Sequence, residues 1–467
     1  MVNLLRKYDL TKFLNSFYYI ISVVLFSYVI WLLRFFLKGD VLVLTTFALM
    51  LVLSIVFSVV VIFFENTIYS IPIALSLLFT LGFTNIDLTT MGSAALGFLA
   101  AILIVFSIII HMVRFKVKPK LNLLGLSFIL IALSFLIPLI YRGVNENNGF
   151  VSLLGLIYLL IYLFYSNTIK KDNINYLFRT LFILAMLLSF QILAIFIVGF
   201  INYGEPNIYR ALIHLIPRWE GNVGWGNAND LSIHLVLFSA SSIYYMYKYP
   251  KKMFPWIHLT IISALIVFYF ARGSMIALCL LWPVVITIAI RNKDKGMLKN
   301  LFITLILIIS CLGIFYELTY NIFEYFFTSL DGNLNGMLTG RITLYKEAIR
   351  IFKLYPVFGS GWGDLDTLVG ATSNRIIVYH STIFHVLATG GIAGMIILGY
   401  HWFKTSKLFT KRFDYAKLAI LITFVLCPLH GLVANTQSML AFTVSTIIIF
   451  SVLENRDLSL ETKELSL

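Results

Sequence analysis

The sequence predicts an all-α, polytopic transmembrane helical bundle, and three observations carry that prediction. The chain of 467 residues is 60% hydrophobic, only 12% of its residues are charged, and its mean hydropathy is +0.93. Soluble domains carry about 25% charged residues, so this chain has too few charges to cover a water-soluble surface. Its apolar residues also fall in long runs. We therefore expect one integral membrane domain over residues 1–467.

The number of membrane spans follows from the apolar runs. A transmembrane helix needs about 20 mostly apolar residues, and the backbone amides in lipid have to pair within their own segment. Several runs are short and the first three crowd together, so we expect 12–14 spans. The candidate segments are 16–37, 41–64, 67–84, 94–113, 122–141, 149–166, 175–201, 230–248, 256–271, 274–290, 299–320, 379–403, 416–431 and 436–453. No small-residue cleavage site follows the first run, so we expect it to be retained as a span.

The positions of Lys and Arg predict the orientation of the bundle, because basic residues concentrate in cytoplasmic loops. Most of the 35 basic residues fall in alternate loops, among them 114–120, 291–299 and 404–417. Both termini are then cytoplasmic. Arg34 and Lys38 are the clear exception, since they fall on the opposite side. The net charge of +14 is thus a signal of topology, and we expect no nucleic-acid partner.

Metal or disulfide chemistry is not expected. Cys279, Cys311 and Cys427 all lie inside apolar runs, and no pair has the spacing of metal ligands. His380 and His385 are five residues apart, so on a helix they point about 140° away from each other. That geometry does not suit the i, i+4 pair of a zinc site. We therefore expect neither a metal nor another cofactor.

The longest loop on the predicted extracytoplasmic side covers residues 319–379, and loops of this length are usually functional or disordered. Part of this loop has apolar residues at helical spacing, and charged residues take the opposite face of the same predicted helix. Those apolar residues are Ile342, Tyr345, Ile349 and Phe352. Pro356 ends the run, and a Gly-rich turn follows at 358–363. We expect an amphipathic helix at the outer membrane interface.

Four polar features converge on this side of the membrane. They are Arg218 with Asn227 and Asn229 in one loop, Arg272 in a turn between two spans, Arg341 at the start of the amphipathic helix, and His380 just before the next span. Arginine donates bidentately to anionic oxygens and stays charged, and a helix N-terminus also favours an anion. Histidine is the side chain best suited to accept a proton near neutral pH.

Each of these features also has a purely structural interpretation, in which the residue neither binds substrate nor takes part in a reaction. Arg272 is equally well explained as a snorkelling residue, and Arg350 as part of the solvated face of the helix. A single histidine is more often structural than catalytic, and aromatic residues in such loops are typical of an interfacial belt. Three glycines in the span after His380, at positions 390, 391 and 394, predict close approach of another helix or a lipid tail.

Three stretches of the sequence resemble the O-antigen polymerase and O-antigen ligase superfamily of bacterial surface polysaccharide assembly. RWEGNVGWGNANDLS resembles the family's Arg-x-x-Gly followed by Gly-Asn-x-Asn, and FARGSM resembles its Ser/Ala-Arg-Gly turn. GRITLYKEAIRIFKLYPVFGSGWG, followed by YHSTIFHVLATGGIAG, resembles the main signature. The resemblance covers roughly 215–400, and the N-terminal spans match only in hydropathy. Ser381 stands where the family most often has Asn.

This resemblance implies a metal-independent, inverting glycosyltransferase of the membrane-embedded C type. The donor would be an oligosaccharide on undecaprenyl diphosphate, and the acceptor a sugar hydroxyl. His380 would be the general base, Arg341 and Arg272 would act with it in catalysis, and Arg218 would also hold the diphosphate. The other expected substrate-binding residues are Asn227, Asn229, Gly361 and Ser381. The expected location is the bacterial inner (cytoplasmic) membrane, with the site extracytoplasmic and a chain-length regulator as a candidate protein partner.

Three alternatives to a polymerase are consistent with the sequence. A ligase shares the same signature and passes the glycan to a different acceptor. A flippase for the same lipid-linked sugar would place ionisable residues near the bilayer midplane, whereas Arg34, Arg179 and Glu317 lie toward the ends of spans. A scaffold protein is the third. The many spans and the abundance of Ile, Phe, Tyr, Asn and Lys favour the polymerase.

Overall fold

The structure is a computed structural model, and it describes residues 10–83, 91–144, 146–170, 173–203, 223–269, 271–314, 316, 317, 320, 324, 341–362, 379–431 and 439–465. Its helices are α1 (Phe17–Leu32), α2 (Gly39–Phe63), α3 (Ile71–Leu77), α4 (Met91–Arg114), α5 (Gly125–Arg142), α6 (Glu146–Thr168), α7 (Ile174–Tyr203), α8 (Ala228–Phe238), α9 (Ala240–Lys248), α10 (Phe254–Phe268), α11 (Arg272–Asn292), α12 (Lys295–Ile314), α13 (Arg341–Leu354), α14 (Thr382–Thr410), α15 (Tyr415–Gly431) and α16 (Leu440–Leu465). The described residues contain no strand, so the all-α prediction is confirmed.

Nine helices in the described part of the chain are long and apolar enough to cross a membrane. They are α1 with the 3-10 turn that continues it, α2, α4, α5, α6, α7, α11, α12 and α14. Three further apolar helices are shorter, namely Thr67–Leu77, Phe254–Phe268 and Tyr415–Leu429. The chain is therefore a polytopic membrane protein, as its hydropathy predicts.

Two predicted spans differ in detail from the helices observed. The run at 230–248 is divided into α8 and α9 at Ser239, whose hydroxyl donates to the Val236 carbonyl at 2.6 Å. Serine hydroxyls that bond to the preceding turn compete with the helical pattern and bend helices. The run at 67–84 contains only a 3-10 turn and the seven-residue α3, so its helix is too short to span the bilayer alone.

Polar contacts gather the predicted cytoplasmic segments at one end of the bundle. The buried Lys417 ammonium lies 2.7 Å from the buried Asp457 carboxylate, which joins α15 to α16. Asn66 donates to the Lys170 carbonyl at 2.9 Å, which joins the loop before α3 to the basic loop after α6. The opposite end, here called the outer end, joins the segments predicted to be extracytoplasmic. There the Trp31 indole donates to the Val223 carbonyl at 2.5 Å.

Candidate functional site

His380 occupies an unusual backbone position at the outer end, directly before α14. Its φ is +46°, in the left-handed region that residues other than glycine rarely adopt. Its side chain is exposed. The next residue, Ser381, is the N-cap of α14, yet its buried side chain makes no capping hydrogen bond. Backbone strain of this kind often occurs at functional sites.

Helix α13 supports His380 from the side. It packs against α14, where the Tyr345 ring stacks on the Phe384 ring with centroids 4.3 Å apart and planes 12° apart. The Tyr345 hydroxyl donates to the His380 carbonyl at 3.4 Å. A small buried cluster lies behind this contact and consists of Ala348, Ile351, Tyr379 and Ala388. Burial and the nearby Glu347 carboxylate raise the pKa of Tyr379 to about 12, so this phenol stays uncharged.

The amphipathic helix expected after residue 340 is thus present, but its packed face is shifted from the predicted one. Ala348 and Ile351 are the buried residues of α13, whereas Ile349, one of the four predicted apolar positions, is 40% exposed. The reason is that α13 packs against α14 through Ala348 and Ile351, which lie in one buried cluster with Ala388 of α14. The Ile349 side chain is left facing outward, which suits a helix at the membrane interface.

Helix α14 is interrupted nine residues after its first residue, at Gly391, where φ is +61° and ψ is −156°. The chain just after α13 fills the interruption. Four backbone hydrogen bonds join the two segments, from Ser360 to Ala388 (2.8 Å), from Gly361 to Thr389 (3.0 Å), from Ile392 to Pro356 (2.9 Å) and from Ala393 to Val357 (3.0 Å). The Gly-rich turn therefore satisfies backbone groups that the interrupted helix leaves unpaired.

Glycine is required at this crossing because the two backbones touch. A Cβ atom on Gly391 would lie 2.6 Å from the Val357 carbonyl carbon, and one on Gly359 would lie 2.2 Å from the Thr389 carbonyl carbon. The close partner of the glycine-rich span is therefore the protein's own turn at this point, rather than another span or a lipid tail. Gly361, predicted to bind substrate, has φ +95° and packs beside Pro138.

Aromatic stacking ties this region to α5. The Trp362 indole lies parallel to the Phe135 ring with centroids 4.1 Å apart, and it meets the His385 ring edge-on at 5.3 Å. Both Trp362 and His385 are buried. His385 is therefore a core residue that helps to fix the base of the site, in contrast to the exposed His380. Nothing in the sequence beyond the aromatic identity of residue 362 indicates this contact.

Arg341 and His380 are brought together by the packing of α13 on α14. Arg341 is half-buried at the N-terminus of α13. The His380 ring reaches the surface, but neighbouring groups shield it in part from water, and this desolvation together with the Arg341 charge holds the pKa of His380 below its ordinary value of about 6.5. A histidine of this kind is neutral at pH 7 and is able to accept a proton. The site therefore combines a fixed cation with an available base.

The other residues predicted to belong to the site lie at helix ends or outside the described part of the chain. Asn227 caps α8, since its side-chain oxygen accepts from the backbone amides of Asn229 at 2.9 Å and Asp230 at 3.2 Å. Arg272 is the first residue of α11. Arg218 lies outside the described residues, as does most of the long loop 319–379. The roles expected for these residues remain predictions.

A cavity of about 310 Å³ lies inside the bundle below His380. Its lining on α14 runs from Thr382 to Trp402, between five and six helical turns. The other walls come from α5, α6, α15 and α16, and most of the lining is apolar, with Trp362 near its outer end. The cavity was not predictable from the sequence because its walls come from five helices. Its shape and polarity suit a hydrocarbon chain.

A family model described as O-antigen ligase matches residues 232–399. The matched region contains Arg272, Arg341, the Gly-rich turn and His380. It excludes Arg218, Asn227 and Asn229, which precede it. No curated protein matches the chain.

Proposed function

We propose, from the match of residues 232–399 to the family model described as O-antigen ligase, that this chain is a polysaccharide polymerase of the O-antigen polymerase and ligase superfamily. It transfers a glycan from undecaprenyl diphosphate to a sugar hydroxyl on an acceptor glycan at the extracytoplasmic face. The observation that carries this proposal is the pairing of Arg341 with His380 above an apolar cavity.

In the proposed reaction, the neutral His380 ring removes the proton from the acceptor hydroxyl. The oxygen then attacks the anomeric carbon, and the bond from that carbon to the diphosphate oxygen breaks with its electron pair on the leaving group. Direct displacement inverts the anomeric configuration. Arg341, with Arg272 and Arg218, neutralises the charge that develops on the diphosphate. Arginine is suited to this task without a metal because its fork donates to two oxygens at once.

The cavity below Thr382 is proposed to hold part of a polyprenyl chain. A substrate on undecaprenyl diphosphate needs its lipid in the membrane and its sugar at the surface. The cavity extends along α14 from a point two residues after His380, and Phe128, Phe135 and Val386 are among its apolar walls. A lipid placed there presents its diphosphate at the outer end, near the N-terminus of α13.

A single-substrate assay separates the polymerase from its alternatives. The purified protein receives lipid-linked repeat units and no other acceptor. A ladder of glycan lengths is expected for a polymerase. If no elongation occurs until a distinct acceptor is added, the protein is a ligase. If liposomes show transfer of the lipid-linked sugar across the bilayer without extension, the enzyme proposal is wrong.

The charge of Arg341 is expected to set the acid side of the pH–rate profile. Neutral His380 is the active form, so the rate falls as the pH drops through its pKa, which Arg341 helps to hold below the ordinary value. In Arg341→Gln that pKa rises, and the acid limb of kcat/KM moves to higher pH. An NMR titration of the His380 ring is expected to move in the same direction.

The control for this experiment is Lys346→Gln, which removes an exposed positive charge from the same helix. Its acid limb is expected to coincide with that of the unmodified protein. An acid limb that does not move in Arg341→Gln, together with an unchanged His380 titration, contradicts the proposed coupling.

A further inference from the structure

Arg34 is an arginine at the outer end to which the reaction above gives no task. It lies in the 3-10 turn Leu33–Phe35 that continues α1. The central carbon of its guanidinium is 5.3 Å from the centroid of the Trp31 ring and 5.5 Å from that of the Phe35 ring. Its Nη1 atom is buried and has no hydrogen-bond partner among the residues that the structure describes.

This environment is costly for a guanidinium. The group stays protonated at any working pH, and a charge removed from water is expensive unless it is paired and hydrogen-bonded. The two aromatic rings offset only part of that cost. Arg34 also breaks the charge pattern of the chain, because most basic residues fall in the loops at the other end. An anion from outside the chain would supply the partner that Nη1 lacks among the described residues.

Three segments of the chain pack closely around Arg34. Trp31, which lies under the guanidinium, donates to the Val223 carbonyl at 2.5 Å. Gly224, with φ +94°, packs closely against the stretch after α3, where an added Cβ would lie 2.4 Å from the Leu81 carbonyl oxygen. A Cβ atom on Gly82 would in turn lie 3.0 Å from the Cβ of Arg34. Three segments of the chain thus close around this residue.

Two of the neighbouring segments lead to predicted anion-binding residues. Val223 is five residues after Arg218 in the sequence. Tyr269, on which the Arg34 charge acts, is three residues before Arg272. Arg34 therefore lies where both arginine-bearing segments meet the bundle.

We propose that Arg34 binds the phosphate of a lipid headgroup at the outer end of the bundle, and that this headgroup is the diphosphate of the lipid-linked glycan. The identity of the lipid rests on the proposed function, whereas the anion site rests on the geometry around Arg34. The same chemistry would accept phosphatidylglycerol from the surrounding bilayer, so the experiment has an arm for each source.

The test measures the affinity of the purified, detergent-solubilised full-length protein for undecaprenyl diphosphate and for phosphatidylglycerol by native mass spectrometry. Arg34→Met is expected to weaken binding of undecaprenyl diphosphate about tenfold, the loss of one charge-assisted contact. Arg34→Lys is expected to retain part of the affinity. Lys38→Gln, which removes an exposed charge four residues away, is expected to bind as the unmodified protein does.

Thermal unfolding of the lipid-free protein separates binding from a structural role. Arg34 is partly buried, and its Nη1 atom has no partner among the described residues, so Arg34→Met is expected to leave the unfolding temperature unchanged or higher. A lower unfolding temperature with unchanged affinities overturns the proposal in favour of a structural arginine. Unchanged affinity for both lipids overturns it whatever the stability.

The two lipid arms identify the source of the anion. Weaker binding of undecaprenyl diphosphate alone supports the substrate headgroup, whereas weaker binding of phosphatidylglycerol alone supports an anion site for bulk lipid and overturns the assignment to substrate. The two proposals can fail separately. If the protein does not elongate lipid-linked repeat units but still binds undecaprenyl diphosphate in a way that depends on Arg34, the polymerase proposal is wrong and the proposed anion site is retained.

Discussion

Replacement of His380 by Ala is expected to lower the rate of glycan transfer by at least a hundredfold while the protein stays folded in the membrane. A positioned general base typically contributes about 10² to 10⁴ in rate. The side chain of His380 is exposed, and the contact with Tyr345 is made by its backbone carbonyl. Loss of the imidazole therefore removes the base without removing packing. The measurement is single-turnover transfer by purified protein, with its amount in the membrane confirmed by immunoblot.

A comparison of His380→Gly with His380→Ala separates the effect of backbone strain from the loss of the imidazole. Because φ is +46° at this position, glycine relieves strain there and His380→Gly is expected to unfold at the same or a higher temperature than His380→Ala. Both variants are expected to lack transfer activity, and added imidazole is expected to restore part of it in the glycine variant. Near-normal polymer from either variant without imidazole contradicts the role of general base.

Replacement of Gly391 by Ala is expected to destabilise the protein by several kcal/mol. The added Cβ would lie 2.6 Å from the Val357 carbonyl carbon, and alanine would have to adopt φ +61°. A strained backbone conformation costs about 1–3 kcal/mol, and overpacking typically costs about 1–3 kcal/mol more. The expected result is a lower unfolding temperature in detergent and less protein in the membrane.

Gly399→Ala is the matched control on the same helix. An added Cβ at Gly399 meets nothing within 4 Å, and its backbone is helical. Alanine is favoured over glycine in a helix by about 1 kcal/mol, so this variant is expected to be as stable as the unmodified protein or slightly more stable. Equal stability of the two variants would show that the crossing of Gly391 with the turn is not formed as described.

Hydropathy predicts most of the fold of this protein because lipid imposes a simple rule on the chain. A segment that crosses the bilayer has to be long, apolar and helical, and the run at 175–201 accordingly reappears as α7. The break at Ser239 and the short α3 were not predicted, since both depend on local hydrogen bonds and a proline rather than on average hydropathy.

The residue types of the candidate site follow from the sequence, whereas its geometry does not. The predicted topology puts Arg341 and His380 on one side of the membrane, and in the structure the Arg341 charge acts on the His380 ring. The hydrogen bonds between the Gly-rich turn and the interruption at Gly391 were not predicted. They join residues about 30 positions apart, and a glycine-rich pattern indicates a close approach without naming its partner.

The two residues on either side of the undescribed positions 363–378 are both held by the helices around His380. Trp362 stacks on the Phe135 ring, and Tyr379 lies in a buried cluster with residues of α13 and α14. Their positions relative to His380 are therefore set by packing inside the bundle, which separates the alignment of the imidazole from the sequence of the residues that join them.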